Sequence, residues 1–231
     1  MSTSSAPTRT YGQMCPLARS LDVLGERWTL LVVRELLLGP KRFKHLLASL
    51  PGIGSNRLSM RLTTLEDAGA VRRATLPEPA SVPVYELTEE GERLRGPVVG
   101  LALWGLQLPL DERVDPGTIR AELIALCLTH APERAPAAHR DDVVEFHVGR
   151  EVFHLRMAEG RVLPRSGPSP VEPTARVESD LATFLALALR ELTPSGALAS
   201  GRATVASGPP SALAELFDVL ALPPQGPIPM P

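Results

Sequence analysis

The chain has 231 residues, a formal net charge of −2 at pH 7 and two cysteines. This length is sufficient for two domains of modest size, and two cysteines are too few for a secreted disulfide framework. No uncharged run approaches the ~18–20 apolar residues that span a bilayer, and residues 1–10 lack the apolar core of a signal peptide. We therefore expect a cytoplasmic protein with no membrane partner and a disordered tail at 1–10.

The small net charge conceals a difference between the two halves. Residues 1–109 contain 13 Lys and Arg against 10 Asp and Glu, whereas residues 110–231 contain 11 against 16. Seven of the cations lie within 41–73, where the only acids are Glu66 and Asp67. Cations concentrated in one block indicate a polyanion partner for that half. A solvated surface has the same composition, so the choice between them depends on a motif.

The first half predicts an ordered series of helices and strands. Apolar residues at spacings of three and four predict helices within 17–38, 41–49, 54–69 and 89–108. A glycine- and proline-containing turn at 51–54 separates the second helix from the third, and β-like runs at 71–76 and 84–87 form a hairpin before the fourth. Thr88 is a candidate N-cap. This order predicts a winged helix-turn-helix domain, over residues 11–108.

The helix within 54–69 has two distinct faces. Its core-facing stripe is formed by Leu58, Leu62 and Leu65. About a quarter turn away lies a second edge, formed by Arg57, Arg61 and Thr64, with Met60 beside it. Ser55 or Asn56 can cap the first turn, which leaves backbone N–H groups and a partial positive charge at that end. Such a helix can rest its leucines on the domain and present its other edge to DNA.

This geometry suggests a role for each polar residue. Guanidinium groups can contact guanine O6 and N7 in the major groove, and phosphates accept from free N–H groups. We predict base or near-base contacts for Asn56, Arg57, Ser59 and Arg61, and a backbone contact for Ser55. Phosphate contacts are predicted for Lys41, Arg42, Lys44, Arg72 and Arg73. Arginines four residues apart are usually only a wet helix face, but the surrounding helix and hairpin favour DNA binding.

Several short motifs occur in a fixed order across residues 11–107. They are Cys15-Pro16, Gly25…Trp28-Thr29-Leu30, Arg34-Glu35-Leu36, Gly39-Pro40…Arg42-Phe43, Leu50-Pro51-Gly52-Ile53, Leu58…Arg61-Leu62…Leu65-Glu66…Gly69-Ala70-Val71, Tyr85…Leu87-Thr88…Gly91 and Trp104-Gly105. Together they resemble the HxlR-type transcriptional regulators. The resemblance implies a domain that dimerises through its terminal helices and binds a roughly palindromic operator, repressing or activating a neighbouring gene. Half-sites would lie about one duplex turn apart, ~10 bp.

The resemblance has one departure and raises one further possibility. Members often carry a basic residue in the hairpin loop, where this chain has the acidic, proline-rich segment 77–83, so we expect no minor-groove contact there. Cys15 precedes a proline at a predicted helix start, which favours thiolate chemistry, and some members sense oxidants through an N-terminal cysteine. The alternative for Cys15, a semi-buried residue near the dimer contact, is favoured because no partner cysteine is near in sequence. Cys127 lies in an apolar run and is predicted to pack.

The second half predicts an α+β domain after a polar, proline-containing linker at 109–117. Helices are expected at 118–129, 181–192, 195–199 and 211–220, with strands at 143–148, 152–157, 161–164, 174–178 and 202–206. Ser179 and Asp180 are candidate caps of the helix at 181–192, and Gly149-Arg150 between the first two strands is a hairpin signal. The domain is expected to span 118–222, and a proline-rich tail follows at 223–231. No nucleophile elbow, phosphate loop or acid–base cluster is present, so the sequence predicts no enzyme, no cofactor and no metal site. His147 and His154 form a conceivable metal pair, but ordinary strand residues are favoured since further ligands are missing.

The helix at 181–192 is apolar on most sides, so it must be covered all round, bind a partner or line a cavity. With the strands before it and the stretch Ala197-Leu198-Ala199-Ser200-Gly201-Arg202-Ala203-Thr204-Val205 after it, residues 119–220 resemble the sterol-carrier-protein family. That resemblance implies a curved sheet and helices that enclose an apolar cavity. Candidate ligand-lining residues are Phe146, Phe153, Leu155, Phe184, Leu185, Leu189 and Phe217, although each type is more often plain core.

The sequence thus predicts a dimeric DNA-binding regulator whose C-terminal domain binds a lipophilic small molecule. The alternative keeps DNA binding and makes the C-terminal domain a ligand-free dimerisation or protein-interaction module. An enzyme acting on an apolar substrate is the least favoured hypothesis, because no catalytic cluster supports it.

Overall fold

The computed structural model describes residues 10–109, 111–129, 142–158 and 161–220. The fold is mixed α+β, and the chain divides into two compact units between Arg95 and Gly96. Both predicted tails lie outside the described residues, except for Thr10. Within the described part of the chain, no helix has the length and apolar character that crossing a membrane requires.

The first unit has the predicted winged helix-turn-helix order. Its elements are α1 (Pro16–Leu24), α2 (Thr29–Leu37), α3 (Phe43–Ser49), α4 (Ser55–Asp67), β1 (Val71–Thr75), β2 (Pro83–Leu87) and α5 (Glu89–Glu92). The two strands pair antiparallel with Val71 opposite Leu87. Lys41 adds a bridge to this hairpin, because its N–H donates to the Tyr85 carbonyl at 2.9 Å and its carbonyl accepts from the Tyr85 N–H at 2.9 Å. The hairpin is therefore fastened to the segment that leads into α3.

The prediction of one helix over 17–38 is wrong, because α1 and α2 are separated at residues 25–28. The Gly25 N–H ends α1 by donating to the Leu21 carbonyl at 2.8 Å. Trp28 then adopts a left-handed backbone with φ of 83° immediately before α2. Its indole lies 3.6 Å from the point where a Cβ on Gly52 would stand, and Gly52 itself has φ of +91°. The break thus places Trp28 against the turn between α3 and α4.

The predicted helix over 89–108 is also divided, into α5 and α6 (Arg95–Gly105). Thr88 caps α5 as predicted, since its hydroxyl accepts from the Gly91 N–H at 3.1 Å. Pro97 has no N–H to donate, and such a residue is tolerated only in the first turn of a helix, which is where it lies in α6. Gly91 approaches β1 so closely that a Cβ would stand 2.0 Å from the Ala70 carbonyl oxygen.

The leucine stripe of α4 is confirmed. Leu58, Leu62 and Leu65 are all buried, and α4 contacts both α2 and β1. Burying a leucine side chain contributes roughly 1.5–3 kcal/mol, so these three residues fix which side of α4 faces the domain.

The second unit is built on a five-stranded sheet. After α6 its elements are a 3-10 turn at Pro116–Thr118, α7 (Ala121–Leu128), β3 (Val143–Val148), β4 (Glu151–Ala158), β5 (Arg161–Ser166), β6 (Ala175–Ser179), α8 (Leu181–Ala188), α9 (Pro194–Ala199), β7 (Ala203–Ser207) and α10 (Ser211–Val219). The strand order is β5-β4-β3-β6-β7, with β3 and β6 parallel and the other pairs antiparallel. Alternate strand residues and the helices α7 to α10 share one apolar core.

Helix α8 is shorter than the predicted span of 181–192. Asp180 caps its start as expected, accepting from the Thr183 N–H at 2.6 Å. The helix ends at Ala188, and Arg190 then takes a left-handed φ of 60°. The N–H groups of Glu191 and Leu192 both donate to the Ala186 carbonyl, at 2.8 and 3.1 Å. The sequence contains no glycine that would have predicted this helix end, because Arg190 occupies the left-handed position.

Candidate nucleic-acid interface

Helix α4 begins with an open first turn. Its N-cap is Gly54, and no side chain caps the helix, so the expectation that Ser55 or Asn56 caps it is wrong. Ser55 and Asn56 instead occupy the first turn, and both are exposed. The first N–H groups of a helix have no acceptor within the helix and carry a partial positive charge. The start of α4 can therefore accept an anion at its backbone as well as through side chains.

The exposed edge of α4 differs from the predicted one. At 100° per residue, the arc opposite the buried leucines is centred on Asn56, Met60 and Thr63, and all three are exposed. Met60, an apolar residue, has 59% of its surface exposed. Arg57 and Ser59 lie on the flanks of this arc and are also exposed. Sequence reasoning assigned no role to Met60 or Thr63, although the position opposite the leucine stripe would have identified both.

Arg61 is buried, which corrects the expectation that two guanidinium groups project from one edge. Its side chain is 11% exposed and lies 3.5 Å from the carboxylate of Glu26, in the segment between α1 and α2. Its Nε is buried without a hydrogen-bond partner. On the helix, Arg61 falls within about 60° of Leu58 and Leu65, so the same packing that covers the leucines covers this residue. Arg61 contacts the rest of the first unit, not the exposed edge.

The predicted phosphate-binding cations fall into two groups. Arg72 pairs with Glu86, its cross-strand neighbour, at 2.7 Å. Arg73 donates to Glu66 at 3.0 Å and lies over the Tyr85 ring at 5.5 Å, and the Glu66 hydrogen bond raises its pKa. Lys41 is buried. Arg42, Lys44 and Arg57, by contrast, form no ion pair or side-chain hydrogen bond within the part of the chain that the structure describes.

The start of α3 is a positively charged region. The pKa of His45 is lowered, first by its partial burial and then by the charges of Lys44, Arg42 and Lys41. The lowered pKa of His45 therefore indicates that these three cations lie close to its imidazole. His45 belongs to this positively charged cluster, although the sequence analysis assigned it no role. An anion placed here would be attracted by charges that the protein itself does not neutralise.

The N-terminal segment presents apolar side chains. Met14, Leu17 and Leu21 are exposed large hydrophobic residues on or next to α1. Cys15 is the N-cap of α1, with Pro16 at the first helical position, as predicted. Its thiol is free and exposed in the single chain, and its burial near a dimer contact stays a prediction. Redox sensing by Cys15 stays a prediction.

The residues predicted to line a ligand cavity are mostly in the core of the second unit. Phe146 stacks on Phe153 with ring centroids 5.3 Å apart, and both meet Phe184 edge-on at 5.6 and 5.5 Å. Phe217 of α10 contacts Phe184 at 6.4 Å and keeps 7% exposure, whereas the other three rings are fully buried. Leu155 is also fully buried. Leu185, within α8, and Leu189, its C-cap residue, are half-buried.

The other sheet face carries polar residues around Glu145. The Glu145 carboxylate accepts from Arg176 Nε at 2.8 Å and from the Ser169 N–H at 2.7 Å, and His147 Nε2 lies 2.8 Å away. Burial alone would raise the pKa of Glu145, but these hydrogen bonds outweigh it and lower the pKa to about 2. Beside it lies an open cleft of about 460 Å³, lined by His147, Gly149, Glu178, Ser179, Gly201, Arg202 and Thr204.

The two predicted metal-pair histidines have separate partners. His147 contacts Glu145, whereas His154 Nδ1 lies 3.0 Å from the Gly167 carbonyl. In the part of the chain that the structure describes, no group of three metal-ligating side chains comes together.

Comparison with known proteins identifies relatives of the first half. The family model described as HxlR-like helix-turn-helix matches residues 23–111. The uncharacterized HTH-type transcriptional regulator YvaP of Bacillus subtilis is 37% identical over 97 residues, which cover 41% of this chain and 89% of that protein. The HTH-type transcriptional regulator YodB of the same organism is 36% identical over 105 residues, 45% of this chain and 89% of YodB. The solved structure of the reduced form of YodB matches over 45% of this chain and 100% of the YodB chain, with 36% identity and a TM-score of 0.36.

Proposed function

The chain belongs to the HxlR-like helix-turn-helix family, and from that premise we propose that it is a transcriptional regulator that binds duplex DNA through α4. The observation that carries this proposal is the orientation of α4. Its leucines are buried, its uncapped first turn and opposite edge are exposed, and unpaired cations stand at α3 and at its own start. A helix held in this way can enter the major groove, with its first turn against the phosphates.

In this proposal the exposed residues divide by role. Asn56 and Ser59 face base edges, while the Ser55 turn, Arg42 and Lys44 bind phosphates. Arg57, at the flank, binds a phosphate as well. Arg72 and Arg73 contact phosphate only by exchanging their glutamate partners, which reduces their gain in affinity. Lys41 and Arg61 have structural roles, because both are buried.

We propose that the protein acts as a homodimer. The support within the first unit is the row of exposed apolar side chains at α1, namely Met14, Leu17 and Leu21, which a second copy would remove from water. Leu101 and Trp104 of α6 are exposed in the same manner. A two-fold dimer would read a roughly palindromic site with half-sites ~10 bp apart.

We further propose that the second unit is a sterol-carrier-protein-like domain that binds a lipophilic effector. The five-stranded sheet and the helices that share its apolar core support this resemblance. A lipophile would have to displace at least one aromatic ring, and Phe217 on α10 is the ring with residual exposure. Coupling of ~1–3 kcal/mol between effector and DNA would change operator affinity about 5- to 150-fold.

One observation favours a second candidate for this unit, a ligand-free dimerisation or interaction module. Four phenylalanine rings contact one another where the cavity was expected, as in a solid core. Native mass spectrometry of the purified full chain distinguishes the two candidates. An added mass that Phe217→Trp prevents supports the effector, and a bare chain mass from several expression hosts supports the module.

The DNA proposal is tested by selecting binders from a random duplex library with the full chain. We expect an enriched, roughly palindromic motif. Lys44→Ala/Arg57→Ala should bind it more weakly and lower the salt dependence of log K by ~1.8, about 0.9 per phosphate contact. Arg113→Ala/Arg150→Ala removes the same charge from the second unit and should leave both unchanged. Absence of an enriched motif, or equal losses in the two double variants, would refute the proposal.

A further inference from the structure

The exposed arc of α4 has a composition that the proposed function does not explain. Asn56, Met60 and Thr63 form a ridge, here called the recognition edge, opposite the buried leucines. The recognition edge contains no cation, because Arg61 is buried against Glu26. Met60 instead places an apolar side chain, 59% exposed, at its centre. Met60 is not part of the buried core, so its side chain is available to contact an apolar group of a partner.

The spacing of the recognition edge matches a short run of base pairs. Its residues stand at i, i+4 and i+7, which spans about 10 Å along a helix that rises 1.5 Å per residue. Base pairs repeat every ~3.4 Å, so the ridge covers about three of them. Each of the three side chains can then meet a different base pair.

We propose that the recognition edge reads A·T base pairs in the major groove, with Met60 and Thr63 against the 5-methyl groups of thymine. This inference rests on the proposed function. The thymine methyl is the apolar group that the major groove displays, and apolar side chains and the threonine methyl contact it. Asn56 matches adenine, to whose N6 and N7 an amide binds bidentately. Guanine recognition would need a guanidinium on this edge, and the structure places Arg61 elsewhere.

The flanking charges fit this arrangement. Arg42 and Lys44 of α3 and Arg57 at the start of α4 form no ion pair among the described residues. Phosphate contacts by these residues fix the helix on the duplex without sequence preference. Sequence discrimination then depends on the recognition edge, together with Ser59 beside it.

The test uses the motif selected by the full-length wild type. Each thymine within its half-sites is replaced in turn by deoxyuridine, which removes only the methyl group. We expect about fourfold weaker binding at one position for Met60 and at another for Thr63, the effect of losing one buried methyl-sized group. Met60→Ala should weaken binding to the thymine site and become indifferent to uracil at its own position.

Thr63 supplies a matched pair of variants. Thr63→Val keeps the methyl and should keep the sensitivity to uracil, whereas Thr63→Ser keeps the hydroxyl and should lose that sensitivity. All three side chains are exposed, so unchanged melting temperatures are expected. An enriched motif whose half-sites consist of G·C pairs, or a wild type indifferent to uracil at every position, overturns this inference and leaves DNA binding standing. Absence of any enriched motif overturns the proposed function, and this inference with it.

Discussion

Replacing Arg61 by methionine tests whether this residue is structural or reads DNA. The Arg61–Glu26 pair contributes about 0–1 kcal/mol, because Glu26 is 58% exposed. The buried Nε has no partner, and such a group costs about 1–3 kcal/mol. Methionine has a similar length and no polar atom. We therefore expect the free energy of unfolding of Arg61→Met to be unchanged or higher by up to about 3 kcal/mol.

The binding measurement separates the two roles by magnitude. A bidentate guanine contact contributes ~1–3 kcal/mol, so its loss would weaken specific binding about 5- to 150-fold. Because Arg61 does not reach the exposed edge, Arg61→Met should bind the selected operator within about twofold of the wild type. Arg57→Met is the matched control, since Arg57 is exposed and has no ion pair among the described residues. Loss of the Arg57 guanidinium should reduce the slope of log K against log salt concentration by ~0.9.

Fluorescence anisotropy with operator and scrambled duplexes at several salt concentrations provides both quantities. The reasoning fails if Arg61→Met, with an unchanged melting temperature, loses tenfold or more for the operator while binding scrambled duplex normally. That outcome would mean that Arg61 leaves Glu26 and contacts bases.

Three further expectations follow from the same contacts. The pKa of Glu145 is lowered from 4.5 to about 2, so its carboxylate contributes about 3 kcal/mol to the free energy of unfolding above pH 4.5, and this contribution is lost as the pH falls towards 2. Urea unfolding at several pH values should therefore show a weaker acid dependence for Glu145→Gln than for the wild type. An unchanged acid dependence would contradict this. The lowered pKa of His45 should rise when phosphates neutralise its surroundings, so operator affinity should increase as the pH falls below about 6.5 and His45→Gln should flatten that profile. Gly91→Ala should lower the free energy of unfolding by roughly 1–3 kcal/mol, because its Cβ would stand 2.0 Å from the Ala70 carbonyl oxygen. The control is Gly100→Ala, where the space is open, and calorimetry should show no loss of stability for it.

Local signals in the sequence determined which elements form. The leucines of α4 recur at helical spacing, and this spacing correctly predicted that all three lie on the buried side of the helix. Thr88 and Asp180 cap their helices as expected, because a hydroxyl or carboxylate beside a helix start has backbone N–H groups within reach whatever the rest of the chain does. The same local chemistry predicted the β3–β4 hairpin around Gly149, whose φ is +59°.

Contacts between elements decided the rest. A helical wheel gives the direction of each residue on its own helix, but not how wide an arc the neighbouring segments cover, and that width placed Arg61 among the buried residues. The break between α1 and α2, at residues 25–28, depends on Trp28, which packs on a turn 24 residues later, at Gly52.

Charge compensation and cavity formation likewise depend on the tertiary structure. Arg72 is neutralised because the hairpin register sets Glu86 opposite it. The apolar character of α8 predicted that it must be covered, but whether rings or a ligand cover it depends on how Phe184 meets the strands. Sequence patterns fix properties of one element at a time, and the character of a surface is fixed only when two elements meet.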